Sequence, residues 1–150
     1  MDVHAISTAL AARFTSAYVT PPSGYANIAS STAEVPDALG SLPAVVVYPP
    51  DGSWGYTAGS MRTGDLSYTV RVFLGTKHNT PRGAVLVNKW HSVLLDLNLQ
   101  QAALGQASNG VTHSYVTASR AGALTHADIE YFGVELQVTV HVVEAISPAQ

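Results

Sequence analysis

The stretch Phe132-Gly133-Val134-Glu135-Leu136-Gln137-Val138-Thr139-Val140-His141-Val142 decides the fold. Phe132, Val134, Leu136, Val138, Val140 and Val142 fall on one side of an extended chain, and Gly133, Glu135, Gln137, Thr139 and His141 on the other. A period of two held this long is a strand with one buried and one polar face. It is roughly twice the ordinary strand length. Such a strand needs helices over its apolar side and partner strands at its edges, and it is expected to run past its own sheet toward a neighbour.

Upstream, Leu66, Tyr68, Val70, Val72 and Leu74 share one face, against Ser67, Thr69, Arg71 and Phe73 on the other. This is the second arm of a hairpin over 53–75, with its first arm around Trp54 to Ala58 and a long tip, Gly59-Ser60-Met61-Arg62-Thr63-Gly64. Leu42 to Tyr48 is a short continuous apolar run closed by Pro49-Pro50-Asp51-Gly52, which reads as a buried strand followed by a turn. Residues 111–118 form another strand, and Arg120-Ala121-Gly122 a turn before the last one. Two helices complete the pattern. Val3, Ile6, Leu10, Phe14 and Tyr18 recur at helical steps over 3–18 with Asp2 as N-cap. The second has Thr80 as N-cap and Pro81 at the first helical position. Leu86, Trp90, Val93, Leu94 and Leu97 make its stripe, and Gly105 lies past its end. Residues 21–41 read as a loop and 146–150 as a loose tail. The order α-β-β-β-α-β-β predicts a single α+β domain over 1–150. Its sheet is mostly antiparallel with two helices on one face, and a long β-hairpin arm, 49–64, extends from it.

The chain has 150 residues, 47% of them apolar, so one core can form without staples; with no cysteine, disulfides and thiolate metal sites are excluded. No apolar run approaches the ~20 residues of a membrane-spanning helix. The start, MDVHAIST, lacks the basic and apolar regions of a signal peptide, so a soluble protein made inside a cell is expected, with no membrane partner. Charge is unusually low: 11% of residues, where about 25% is typical. The net charge of −3 attracts no nucleic acid. A Ser/Thr-rich surface or an alanine-heavy composition accounts for so few charges, as does a surface covered by neighbouring subunits.

Reactive patterns are missing. His4, His78, His91, His113, His126 and His141 show no HxH, HExxH or HxxxH spacing; His113 and His141 can face each other on adjacent strands, a placement that chance also produces. There is no GxSxG or SxxK, and the glycine-rich stretches match no phosphate-binding loop. Asp128 and Glu130 share a face if their segment is extended, where solvation or a partner is a more ordinary fate than acid–base work. No catalytic, metal or cofactor site is expected. Trp54, Tyr56 and Met61, in contrast, sit in the glycine-rich arm where no core is available to all of them, and such side chains anchor interfaces. The alternative is that Trp54 packs on its own sheet. Arg62, Arg71 and Arg120 are suited to carboxylates of a neighbouring subunit, and a solvated surface position is the more common fate of such arginines.

The apolar strand ending in Tyr48-Pro49, the long hairpin, the helix with Trp90-His91 and Leu94-Leu95-Asp96, and the close Arg120-Ala121-Gly122 then Glu130-Tyr131-Phe132-Gly133-Val134-Glu135-Leu136-Gln137-Val138 together resemble the tail terminator (tail completion) proteins of long-tailed bacteriophages and related neck, or head–tail joining, proteins. The resemblance spans nearly the whole chain and lies in element order, length and texture, with no diagnostic motif. It implies a structural virion protein, assembled in the host cytoplasm, that forms a homohexameric ring on the head-proximal end of the tail tube. The ring stops tube polymerisation and offers the surface to which the head–tail connector docks. DNA passes through its lumen without specific binding, and no catalytic residue or cofactor is carried over. In this setting Trp54, Tyr56, Met61, Arg62 and Arg120 are candidate subunit or tube contacts, and Asp65, Asp128, Glu130 and Glu135 candidate lumen carboxylates that repel DNA. Competing readings are a tail-tube or head-completion subunit of the same particle, and a small α+β enzyme or ligand-binding domain with a pocket holding several histidines.

Overall fold

A computed structural model of the chain describes residues 2–57, 61–76, 81–99 and 110–145. The elements run α1 (Val3–Ala12), β1 (Ser30–Thr32), β2 (Ala44–Val47), β3 (Asp51–Thr57), β4 (Met61–Gly75), α2 (Pro81–Leu95), β5 (Val111–His126) and β6 (Ile129–Ala145). This is the expected α+β architecture with one short strand added. The sheet order is β1-β2-β4-β6-β5. β6 is antiparallel to both its neighbours, and β3 shares with β2 the opposite edge of β4. Only β1 and β2 run parallel.

Strict alternation sorts the long strands into two faces. Leu66, Tyr68, Val70 and Val72 of β4 and Val134, Leu136, Val138 and Val140 of β6 are buried on the inner face. α1 covers them with Ile6 and Leu10, the turn after it with Phe14, and α2 with Val87, Trp90 and Leu94. Each large side chain so removed from water contributes about 1.5–3 kcal/mol. One polar seam crosses this core: Ser7 Oγ lies 2.9 Å from the Tyr68 hydroxyl and donates to the Val3 carbonyl at 2.9 Å. Burial pushes the Tyr68 phenol upward, partly offset by the bond to Ser7. On the outer face a smaller cluster of Val46, Phe73, Leu124 and Tyr131 is covered by Leu39, Leu42 and Tyr48. His126 Nε2 donates to the Pro36 carbonyl at 2.8 Å and fastens that cover. Gly133 sits in mid-strand because a Cβ there would run into the Val72 carbonyl oxygen.

Two boundaries move by a few residues: Met61, Arg62, Thr63 and Gly64, read as part of the hairpin tip, open β4 opposite Trp54 to Thr57, and α2 ends at Leu95, short of Leu97. Three others differ further from the sequence reading. The first helix is capped by Asp2 as expected, its carboxylate accepting from Ala5 N at 3.0 Å, but it ends at Ala12. Arg13, Phe14 and Thr15 donate to carbonyls three residues back, tightening the chain, and Thr15 Oγ1 bonds the Ala12 carbonyl. Phe14 stays in the core, whereas Tyr18 is 54% exposed with the Arg13 guanidinium 3.8 Å from its ring centre. Second, part of the 21–41 loop is β1, held beneath α1 by Ser31 Oγ donating to the Ala11 carbonyl at 2.6 Å. Third, Arg120-Ala121-Gly122 is not a turn. β5 runs through it to His126, and the reversal falls at Ala127 and Asp128, both with positive φ (51° and 65°) as a two-residue hairpin loop of the I′ kind requires. Asp128 therefore lies in the turn and does not share a strand face with Glu130. Gly59 and Ser60 of the hairpin tip, Thr80, Gly105 and residues 146–150 lie outside the described residues.

Candidate interaction surfaces

Beyond the helices the inner face continues onto the β3–β4 hairpin. Trp54 pairs with Gly64, Tyr56 with Arg62, and Arg62 with Glu144 of β6, so all share that face. The Trp54 ring fills the space that Gly52 and Gly64 leave. A Cβ on Gly52 would come 2.7 Å from the indole Nε1; one on Gly64 would strike the ring and come 2.5 Å from the Ser53 carbonyl. Arg62 stacks over the ring, 4.7 Å from its centre, and is ion-paired with Glu144. Trp54 thus packs on its own sheet yet remains 38% exposed, and Tyr56 beside it is 65% exposed. Met61 joins the same hairpin at its tip, opposite Thr57 and Ala145. Of the five candidate contact residues, Trp54, Tyr56 and Arg62 thus share one face of this hairpin, and Met61 lies on the same hairpin with the opposite alternation.

Arg120 is not on this hairpin. It lies on the outer face, about 30 Å farther along β6 at ~3.4 Å per residue, opposite Glu135. Glu135 accepts from Arg71 Nε at 2.9 Å, with Arg120 at 3.7 Å. Arg71 also reaches the Thr125 carbonyl at 3.4 Å and the face of Tyr48. The four candidate carboxylates are likewise dispersed. Glu135 lies between two arginines, Asp65 bonds His141 Nδ1 at 2.7 Å toward the other end of the outer face, and Asp128 and Glu130 sit at the β5–β6 turn. Glu135 is thus locally compensated, so this face is less acidic than a count of carboxylates implies.

The outer face also joins His113 and His141 in direct register, their rings stacked at 4.7 Å and 14°. Tyr115 stacks on His113 at 5.6 Å. The alternation of β6 already turned His141 outward; the third member, Asp65, needed the β4–β6 register, which no local pattern supplies.

Last, the sheet has open edges. Among the described residues β5 pairs only with β6, and β3 and β1 close the other side. β5 is 16 residues long and Arg120 is its one Lys, Arg, Asp or Glu. Its register slips between Val111 and His113 and between Val116 and Ala118, leaving the segment from Ala118 to His126 regular. Shallow clefts of about 480 Å³ and about 420 Å³ lie at Arg13, Tyr18 and Asp96 and at His4, Ser31 and Glu34. Among the described residues no three His, Asp or Glu side chains form a metal-ligand group. No protein-family model matches the chain, and no curated protein matches it in sequence.

Proposed function

We propose that the chain is a structural subunit that assembles head-to-tail into a closed ring, the tail terminator ring at the head-proximal end of a long-tailed phage tail tube. The observation that carries this reading is the pair of dissimilar open edges. The long β5 edge carries a single charge, lacking the lysines and prolines that ordinarily keep strand edges from pairing. On the far side of the sheet β3 likewise pairs on one side only among the described residues, and it bears exposed aromatics. An edge that meets a different edge makes a heterologous contact, which closes into a ring when its rotation allows. The low charge of the whole chain supports the same reading, because each protomer in a ring loses two flanks to its neighbours. In the ring, the β5 edge of one protomer meets β3 of the next, and the Trp54–Tyr56 face contacts the tube or the adjoining subunit.

Native mass spectrometry of the purified chain over a wide concentration range, with and without purified tail tubes, tests this. A discrete ring near six protomers, or capture onto tube ends, is the expected result. Unlimited tubes would assign the chain to the tube itself, and a monomer at every concentration that ignores tubes would overturn the reading.

A further inference from the structure

The geometry points to a second site, independent of ring assembly: we propose that His113 and His141 chelate a divalent late first-row transition ion through their Nε2 atoms. The argument rests on tautomers. An ionised carboxylate only accepts, so Asp65 Oδ1 at 2.7 Å requires the proton of His141 on Nδ1. Thr112 Oγ1 donates its one proton to the His141 carbonyl at 3.3 Å, so toward His113 Nδ1, 3.1 Å away, it accepts, and that proton too sits on Nδ1. In its neutral form each ring therefore carries its lone pair on Nε2, the atom a metal takes. A carboxylate on the remote nitrogen of a ligating histidine is also the outer-shell arrangement that orients such ligands and raises their basicity.

The backbone supplies proximity. The two histidines are directly opposite on neighbouring strands with their rings stacked 4.7 Å apart. Because each Nε2 lone pair lies in its ring plane, binding one ion requires the rings to turn out of the stack until both Nε2 atoms reach the ~2.0–2.1 Å bonds of an imidazole–metal pair. The His141 side chain is 29% and that of Asp65 49% exposed, so an ion has access from solvent. With no third protein ligand at hand, water completes the shell, and two imidazoles with water select nickel, copper or zinc over calcium or magnesium. The ion would tie the open strand β5 to β6.

Titration of the untagged full chain with nickel chloride, followed by calorimetry, tests the site. One ion per chain is expected, with affinity at least tenfold lower in His113→Asn and in His141→Asn and unchanged in His4→Asn. Asp65→Asn, which removes only the orienting carboxylate, is expected to weaken binding by about ten- to a hundredfold. In the unaltered chain, nickel should first broaden the imidazole resonances of His113 and His141, a reading that needs no variant to fold. No uptake at millimolar nickel, uptake undiminished in both His→Asn variants, or broadening centred on His4, His78, His91 or His126 would each overturn the assignment.

Discussion

The inner face of β4 and β6 is one continuous surface, and its two ends are covered in different ways. Under the helices, Tyr68, Val70, Leu136 and Val138 meet Phe14, Leu10, Trp90 and Leu94, all essentially excluded from water. Beyond the helices the same face carries Gly64, Arg62 and Glu144, and its cover is Trp54 from the neighbouring strand. One end is held by many interlocking side chains, the other by an indole seated on two glycines with a guanidinium over it. A strand longer than the helices it serves needs a second kind of lid, and the second kind leaves aromatic surface for a partner. The two ends should therefore fail separately.

The largest effect is expected from the covered end. Trp90→Ala removes the largest fully buried side chain and leaves a cavity beneath α2. A loss of about 3–5 kcal/mol is expected in urea unfolding, a large share of the 5–15 kcal/mol typical of a domain. A loss below about 1 kcal/mol would mean that α2 is not part of the folding unit.

At the overhang, Gly64→Ala forces the indole off its seat and crowds the Ser53 carbonyl. About 1–3 kcal/mol is expected, together with a red shift of Trp54 emission, read in a Trp90→Phe background. Unfolding should stay a single transition. Loss of the cooperative fold would show that the overhang belongs to the core, and the contrast between the two ends would collapse.

The seam between α1 and β4 sharpens the covered end further. Ser7→Ala deprives the buried Tyr68 hydroxyl of its partner and is expected to cost about 1–3 kcal/mol. Tyr68→Phe should cost less, because Ser7 Oγ keeps the Val3 carbonyl. The same phenol sets a pH limit. Burial raises its folded pKa above the unfolded value near 10, so the unfolded chain loses its proton first. Its contribution is complete below about pH 10 and declines as pH rises through the folded value. Denaturant midpoints of the parent should fall more steeply above pH 10 than those of Tyr68→Phe, and parallel profiles would show that the phenol does not titrate as a buried group.

How much of this was legible in the sequence follows from the same contrast. Alternation in Phe132–Val142 and the stripe of Trp90 and Leu94 mark the covered end, because periodic burial writes itself into residue order. β1 was not legible: Ser30–Thr32 is too short for any period, and its strand conformation comes from the parallel register with β2. The β5–β6 turn was misplaced because Gly122 offered the stronger turn signal, while Ala127 and Asp128 adopt positive φ without a glycine. For the arm, aromatics in a glycine-rich stretch were enough to single out Trp54 and Tyr56. The pairing of Arg120 with Glu135 and of Asp65 with His141 depended on register across three strands, which only the assembled sheet provides.

The smallest predicted effect asks what Arg62 contributes to the overhang. Its guanidinium pairs with Glu144 and stacks on Trp54, but its Nε is buried without a hydrogen-bond partner. Lysine at this position keeps a positive charge for Glu144 and removes the unpartnered Nε, yet loses the planar face that covers the indole. These changes oppose each other, and with the Arg62 side chain 28% exposed the ion pair itself is partly screened. Arg62→Lys is therefore expected to leave stability within about 0.5 kcal/mol of the parent. Trp54 emission, in contrast, should shift to the red, because the ring gains water on the side the guanidinium vacates. A loss above 1 kcal/mol would mean that the stack, and not the two glycines, seats Trp54. Unchanged emission would mean that the guanidinium does not shield the ring, and the arm would then offer its aromatic face to a partner without any residue having to move.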